Sequence, residues 1–176
     1  MAASRTRLLG HRRGGRRAFT ARDADKIAKR RSVCKVNWFG ARAYCKWAGK
    51  ALPREEEWVA AARPAGGGAF PWGAEGKRFT ELCNSGDIRG NMPGGEFDKD
   101  RSRVGCFDMG GNVAEWCEDW FDPKDPVSKR TIKGGSFLDK VMCDFEVGSR
   151  RPGDQVSHYR WVGFRGVVRI PVEAAK

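Results

Sequence analysis

Asp108-Met109-Gly110-Gly111-Asn112-Val113-Ala114-Glu115-Trp116 is the stretch that decides how this 176-residue chain is read. Its Gly110-Gly111 pair follows a series of turn signals running on from Pro64: Gly66-Gly67-Gly68, Pro71-Trp72-Gly73 and Pro93-Gly94-Gly95. Gly and Pro punctuate regular elements, one by freeing the backbone, the other by fixing φ and removing a donor. Elements between such signals are too short for bundle helices, which predicts an α+β fold with a small, irregular antiparallel sheet and many loops. Chemically, Asp108 and Glu115 are separated by glycines that free backbone carbonyls to turn inward. That pattern suits an oxygen cage for Ca²⁺, a hard cation that takes carboxylate and carbonyl ligands. The plain alternative has Asp108 and Asn112 bonding turn backbone while Trp116 and Trp120 fill the core.

Upstream of the turns, two short helices are predicted. Trp38, Ala41, Tyr44, Cys45 and Ala48 recur at spacings of three and four, on one helical face, and Gly49 follows as a stop. A second helix is predicted from Pro53 to Arg63, with Glu55, Glu56 and Glu57 at the positive end of its dipole and Trp58, Ala61 and Ala62 facing inward. Downstream, the run from Trp161 to Ile170 is rich in aromatic and β-branched residues and reads as a closing strand. No repeat at solenoid periods is present.

The formal charge of +12 is unevenly distributed. Residues 1–32 hold eleven Lys or Arg and two Asp, a net of +9, whereas residues 33–176 hold 23 basic and 20 acidic residues, a net of +3. The expected organisation is therefore a basic tail at 1–32, one domain at 33–172 and a short tail at 173–176. The tail has no apolar run that could serve as a secretory h-region, and it reads as a solvated arm, an organelle transit peptide or a misplaced gene start. With Phe19 as its one aromatic residue, it offers nucleic acid only nonspecific phosphate contacts. Six cysteines without a C-x-x-C pair remove the usual zinc and thioredoxin spacings and leave disulfide pairing open. No stretch approaches the roughly 20 apolar residues of a membrane span.

A family resemblance rests on seven ordered motifs: Val36-Asn37-Trp38, Ala43-Tyr44-Cys45-Lys46-Trp47-Ala48-Gly49-Lys50, Leu52-Pro53-Arg54-Glu55-Glu56-Glu57-Trp58, Pro71-Trp72-Gly73, the Asp108–Trp116 stretch, Gly134-Gly135-Ser136-Phe137 and Gly163-Phe164-Arg165. In this order they resemble formylglycine-generating-enzyme (sulfatase-modifying factor) domains, which implies a variant of the C-type lectin fold. The resemblance implies Ca²⁺ held by the Asp108 and Glu115 side chains and the Gly111 and Val113 carbonyls. It implies a second Ca²⁺ site mapping onto Asn84 and, loosely, Asp98. The family's opening strand and first helix are not recognisable upstream of Val33, so the domain reads as N-terminally truncated. A Thr cap usual after Leu-Pro is replaced by Arg54, which should cost about 1 kcal/mol unless another group caps the helix.

The resemblance also implies copper held by two thiolates, three and eight positions after the Ser of Gly-Gly-Ser, for oxidation of a substrate cysteine. Those positions are Asp139 and Asp144 here. A hard carboxylate is a poor substitute for thiolate toward Cu(I). Cys143 lies one residue from the second position and is the one candidate for a surviving catalytic ligand, against the favoured structural reading of a small buried hydrophobe or a disulfide partner. A related branch that uses iron held by three histidines is excluded, since the chain has only His11 and His158. Ser136, Arg150 and Arg151 map onto the family's peptide-binding groove, where Arg forks suit carboxylates or carbonyls. Arg165 is expected to pair with a buried acid such as Glu115 or Asp119. The functional expectation is a family member without the copper-dependent oxidase activity; the alternative is a noncatalytic binding module for a peptide or small polar ligand, of the kind that includes variable display proteins.

Overall fold

The structure is a computed structural model; it describes residues 31–74, 78–86, 90–125, 127 and 129–170. The basic segment 1–30 and the expected tail at 173–176 lie outside the described residues.

Helix α1, Trp38–Trp47, starts where Asn37 accepts a hydrogen bond from the Gly40 N–H at 2.8 Å. It stops where Gly49 takes φ +68°, and the Gly49 and Lys50 N–H groups turn back to the Lys46 and Cys45 carbonyls at 3.2 and 2.8 Å. Trp38, Ala41 and Cys45 are buried, whereas Tyr44 and Ala48, expected on the same face, are exposed. Tyr44 lies at the edge of that face and instead packs edge-on against Phe164, with ring centroids 5.6 Å apart.

Helix α2 runs Glu55–Ala62, shorter than expected because Pro53 and Arg54 stay extended ahead of it. Arg54 carries no side-chain acceptor, yet the helix start is satisfied. The Glu57 carboxylate accepts the Arg54 N–H at 2.7 Å, and Asp119 accepts the Glu55 N–H at 2.6 Å. Trp58 and Ala62 are buried, while Ala61 is half-buried. A four-residue helix, α3 (Phe79–Leu82), and a 3₁₀ turn at Met142–Phe145 complete the helical elements among the described residues.

The sheet has four strands, β1 (Ala114–Trp120), β2 (Arg130–Lys133), β3 (Arg150–Gly153) and β4 (Val162–Gly163), in the order β3-β2-β1-β4. It is mixed rather than purely antiparallel as expected, because β4 lies parallel to β1, Ala114 beside Val162. The expected closing strand reduces to Val162–Gly163, followed by an isolated bridge between Val167 and Ala51. Pro152 is tolerated because β3 is an edge strand.

The alternation of side chains along β1 divides the core. Ala114 and Trp116 join Trp38, Ala41 and Cys45 of α1, whereas Cys117 packs with Trp58 and Ala62 of α2. Gly153 passes over Trp116 so closely that a Cβ would lie 2.5 Å from its ring. Trp120, which the plain alternative to a metal loop set in the core with Trp116, is half-buried and stacks on the Arg130 guanidinium.

Candidate ligand and metal sites

The Asp108–Glu115 loop leads directly into β1, so its backbone is fixed at one end by the sheet. Asp108 and Asn112 both hold the left-handed conformation, φ +55° and +70°, which their short polar side chains tolerate. Asn112 is buried and organises the loop. Its amide donates to Asp108, Ser32 and the Met92 carbonyl, while its carbonyl oxygen accepts from the Met92 N–H and from Asn84. Asp108 accepts from the Gly95 N–H at 3.2 Å and from Asn112 at 3.1 Å. Burial raises the Asp108 carboxyl above the ordinary range, against those bonds and the nearby Arg165.

Glu115 is buried under Arg165. Both its oxygens accept guanidinium N–H groups, and one also accepts the Trp58 Nε1–H at 2.8 Å. The expected pairing of Arg165 with a buried acid is thus made with Glu115. The same guanidinium reaches the Phe107 carbonyl at 3.1 Å.

Asn84 is buried and bonded to the Gly90 carbonyl and to Asn112. Asp98, loosely assigned beside it, is exposed. The acid that builds this region is Asp100, two residues on and unremarked in the sequence. It is fully buried, and its two oxygens accept the Gly110 and Gly111 N–H groups, each at 2.8 Å. Burial pushes its carboxyl up to about 7 even though those bonds favour the charged form. In Asp98-Lys99-Asp100-Arg101-Ser102-Arg103 only Asp100 and Ser102 are buried, and nothing local in the sequence marks Asp100 out from Asp98. Asp100, Asp108, Glu115 and Arg165 lie close enough to affect one another's charge, three acids to one base. Among the described residues, however, no three His, Cys, Asp or Glu side chains gather as they would around a metal ion.

The second candidate site follows β2. Ser136 is completely buried, and Asp139 accepts both its N–H, at 2.7 Å, and its hydroxyl, at 2.9 Å. Arg151 closes the same group, donating to the other Asp139 oxygen at 2.9 Å and to the Gly134 carbonyl at 2.8 Å, with its guanidinium over the Trp161 ring. Burial, reinforced by repulsion from Asp139, raises the Asp144 carboxyl. Two neighbouring carboxylates therefore stand where the resemblance places two copper thiolates. Cys143 is exposed on the 3₁₀ turn. Cys83, which senses the charge of Asp139, is buried, and burial drives its thiol far above the ordinary range, so it is a neutral thiol rather than a ready thiolate. This donor set does not fit linear Cu(I) dithiolate coordination.

Arg150 does not share the Arg151 cluster. It pairs with Glu55 at 3.2 Å and donates to the Phe121 carbonyl and the Thr131 hydroxyl. Glu55 also lies 3.5 Å from the ammonium of Lys133, a fully buried lysine that the sequence reading missed. Burial lowers the Lys133 pKa, and Glu55 opposes that shift. The structure thus brings Ser136 and Arg151 together and turns Arg150 to the α2 start. All six cysteines are free thiols.

Comparison with known proteins agrees with this architecture. The chain is 34% identical over 167 residues to the formylglycine-generating enzyme of Thermomonospora curvata, covering 76% of this chain and 54% of that protein. It is 34% identical over 122 residues to the inactive C-alpha-formylglycine-generating enzyme 2 of Bos taurus, covering 61% of this chain and 38% of that protein. The chain thus spans about half the length of the curated bacterial formylglycine-generating enzymes it matches. Among solved structures, Treponema denticola variable protein 1 superposes with a TM-score of 0.66 at 21% identity over 77% of this chain and 70% of that one, a likeness of fold. The profile of the sulfatase-modifying factor enzyme 1-like domain matches residues 10–170, beginning within the basic segment, and the chain belongs to that family.

Proposed function

We propose that this chain is a noncatalytic member of its family, a recognition domain for a peptide or small polar ligand rather than a copper-dependent cysteine oxidase. The observation that carries this reading is Asp139. It occupies the first thiolate position implied by the resemblance, and its carboxylate is engaged internally by the Ser136 N–H, the Ser136 hydroxyl and Arg151. A carboxylate so engaged neither matches the softness of Cu(I) nor is free to turn toward it. A relative named formylglycine-generating enzyme and one named inactive C-alpha-formylglycine-generating enzyme 2 are similar to the chain at the same identity, so identity alone favours neither reading. Ca²⁺ belongs to the proposal as a structural ion at the Asp108 loop. Its support is the grouping of Asp100, Asp108 and Glu115 around one cation, Arg165. Glu115, already bonded to Arg165, limits its share in holding the ion.

The test is incubation of the chain with Cu(I), oxygen and a cysteine-containing peptide, followed by mass spectrometry for the aldehyde product. The expected result is unchanged peptide. Aldehyde formed by the unaltered chain, and abolished by Cys143→Ser, overturns the proposal and makes Cys143 a catalytic ligand.

A further inference from the structure

Three cations, Lys99, Arg101 and Arg103, stand at exposed positions around the buried Asp100. The segment folds back on itself: Arg101 bridges to Phe107, the Ser102 N–H reaches the Cys106 carbonyl at 2.8 Å, and the Gly105 N–H reaches the Ser102 carbonyl at 2.9 Å. Asp100 and Ser102 are buried, whereas Lys99, Arg101 and Arg103 beside and between them are exposed. The Asp100 bonds to Gly110 and Gly111 pin the segment in place.

Those three side chains line a cavity of about 440 Å³ whose other walls include Pro64, Pro71, Trp72 and Leu82. Among the described residues no acid lines it and none of the three cations forms an ion pair; Arg101 lies over the Phe107 ring. A second cavity of about 890 Å³ shares Pro64 and Arg103 with the first, so the two form one groove. The second part carries Arg63, Glu56 and Glu146, charges of both signs.

We propose that this groove binds an acidic peptide segment in extended form. Its carboxylates meet Lys99, Arg101 and Arg103, its apolar side chains lie against Trp72 and Leu82, and its backbone continues past Glu56 and Glu146, whose carboxylates accept peptide N–H groups. Those two carboxylates favour peptide over a polynucleotide, whose phosphates they repel. Trp72 already stacks on Phe70, with centroids 5.4 Å apart and planes within 6°, so one of its faces is closed to a base. The inference goes beyond the noncatalytic reading and does not depend on it, since the groove is built by other residues than Ser136, Asp139 and Arg151.

The test is fluorescence anisotropy of a labelled peptide of alternating Glu and Leu with the full chain. Lys99→Ser/Arg101→Ser/Arg103→Ser is expected to weaken binding by about tenfold or more, since charge-assisted contacts carry it. Lys35→Ser/Lys46→Ser/Lys50→Ser removes the same charge from exposed positions elsewhere, leaves the basic segment 1–32 intact, and is expected to change affinity by less than about twofold. Thermal melts of both variants should match that of the unaltered chain. The proposal is overturned if the unaltered chain does not bind the peptide, if both variants weaken binding equally, or if the first leaves it unchanged. It is also overturned if a thymidine oligonucleotide of equal charge binds more tightly through the same three residues.

Discussion

Arg165 closes on Glu115 with a two-pronged ion pair, Nη2 donating to Oε1 at 2.8 Å and Nε to Oε2. The pair joins the segment after β4 to β1, and because Arg165 also reaches the Phe107 carbonyl it ties both to the start of the acidic loop. Removing one partner leaves a largely buried charge uncompensated. Arg165→Met is therefore expected to cost about 3 kcal/mol, and Glu115→Leu a similar amount. The double variant should recover part of the sum, although Trp58 Nε1 then loses its acceptor. Urea unfolding in a double-mutant cycle measures the coupling, and strictly additive losses contradict it.

Asn112 carries five hydrogen bonds to Ser32, Asn84, Met92 and Asp108 in a conformation with positive φ. Asn112→Ala strands buried donors and acceptors on several loops and forces alanine into a disfavoured conformation. The expected loss is about 2–4 kcal/mol. Asn112→Asp keeps the acceptor but sets a charge beside Asp108, and should fold no better at neutral pH. Denaturant titration at pH 7 separates these outcomes from the loss of about 0.5 kcal/mol or less expected of an ordinary surface site.

Much of this architecture was legible in the sequence. The spacing of Trp38, Ala41 and Cys45 gave α1, and Gly49 marked its end, because a 3.6-residue period and a left-handed stop are local properties. The parallel pairing of Ala114 with Val162 was not legible, since it depends on how residues far apart in the chain meet. The internal pairing of Arg150 with Glu55, and the buried Lys133 beside it, were hidden for the same reason. Asp98 and Asp100 are chemically identical and two residues apart, so no local pattern separates the exposed acid from the buried one; what does is the approach of the Gly110 and Gly111 N–H groups, ten and eleven residues on from Asp100.

The thiolate reading of the Ser136 site makes a constructive prediction. Asp139→Cys/Asp144→Cys places two soft ligands at the positions implied by the family resemblance and should create Cu(I) binding, measurable by competition with a chelating dye. The same change removes the acceptor of Arg151 and of the Ser136 hydroxyl, so a loss of stability of about 1–3 kcal/mol accompanies it. Cu(I) bound equally well by the unaltered chain contradicts the account of Asp139.

Calcium at the Asp108 loop should raise the melting temperature by a few degrees, about 3–6 °C if the free ion exceeds its dissociation constant tenfold. Asp108→Asn should abolish the shift, while Asp98→Asn, at an exposed position, should leave it intact. An unchanged melting temperature across a calcium titration, with EDTA as reference, removes the ion from the proposed function.

Asp100 makes stability depend on pH in an unusual direction. Its carboxyl is raised to about 7 in the fold, mainly by burial, whereas in the unfolded chain it titrates near 4. Between those values the folded state binds the extra proton. The contribution of Asp100 is therefore fully favourable below about pH 4, and it declines as pH rises until it levels off above about pH 7. Most carboxylates held by positive partners behave oppositely; Glu57, lowered chiefly by its bond to Arg169, is an example in this chain. The clean comparison is Asp100→Asn, which cannot titrate and can accept only one of the two N–H groups from Gly110 and Gly111. The stability advantage of the unaltered chain over this variant should shrink steadily between pH 5 and pH 7. A gap that stays constant over that range, or widens, means that Asp100 is ionised throughout and that the two glycine N–H bonds outweigh its burial.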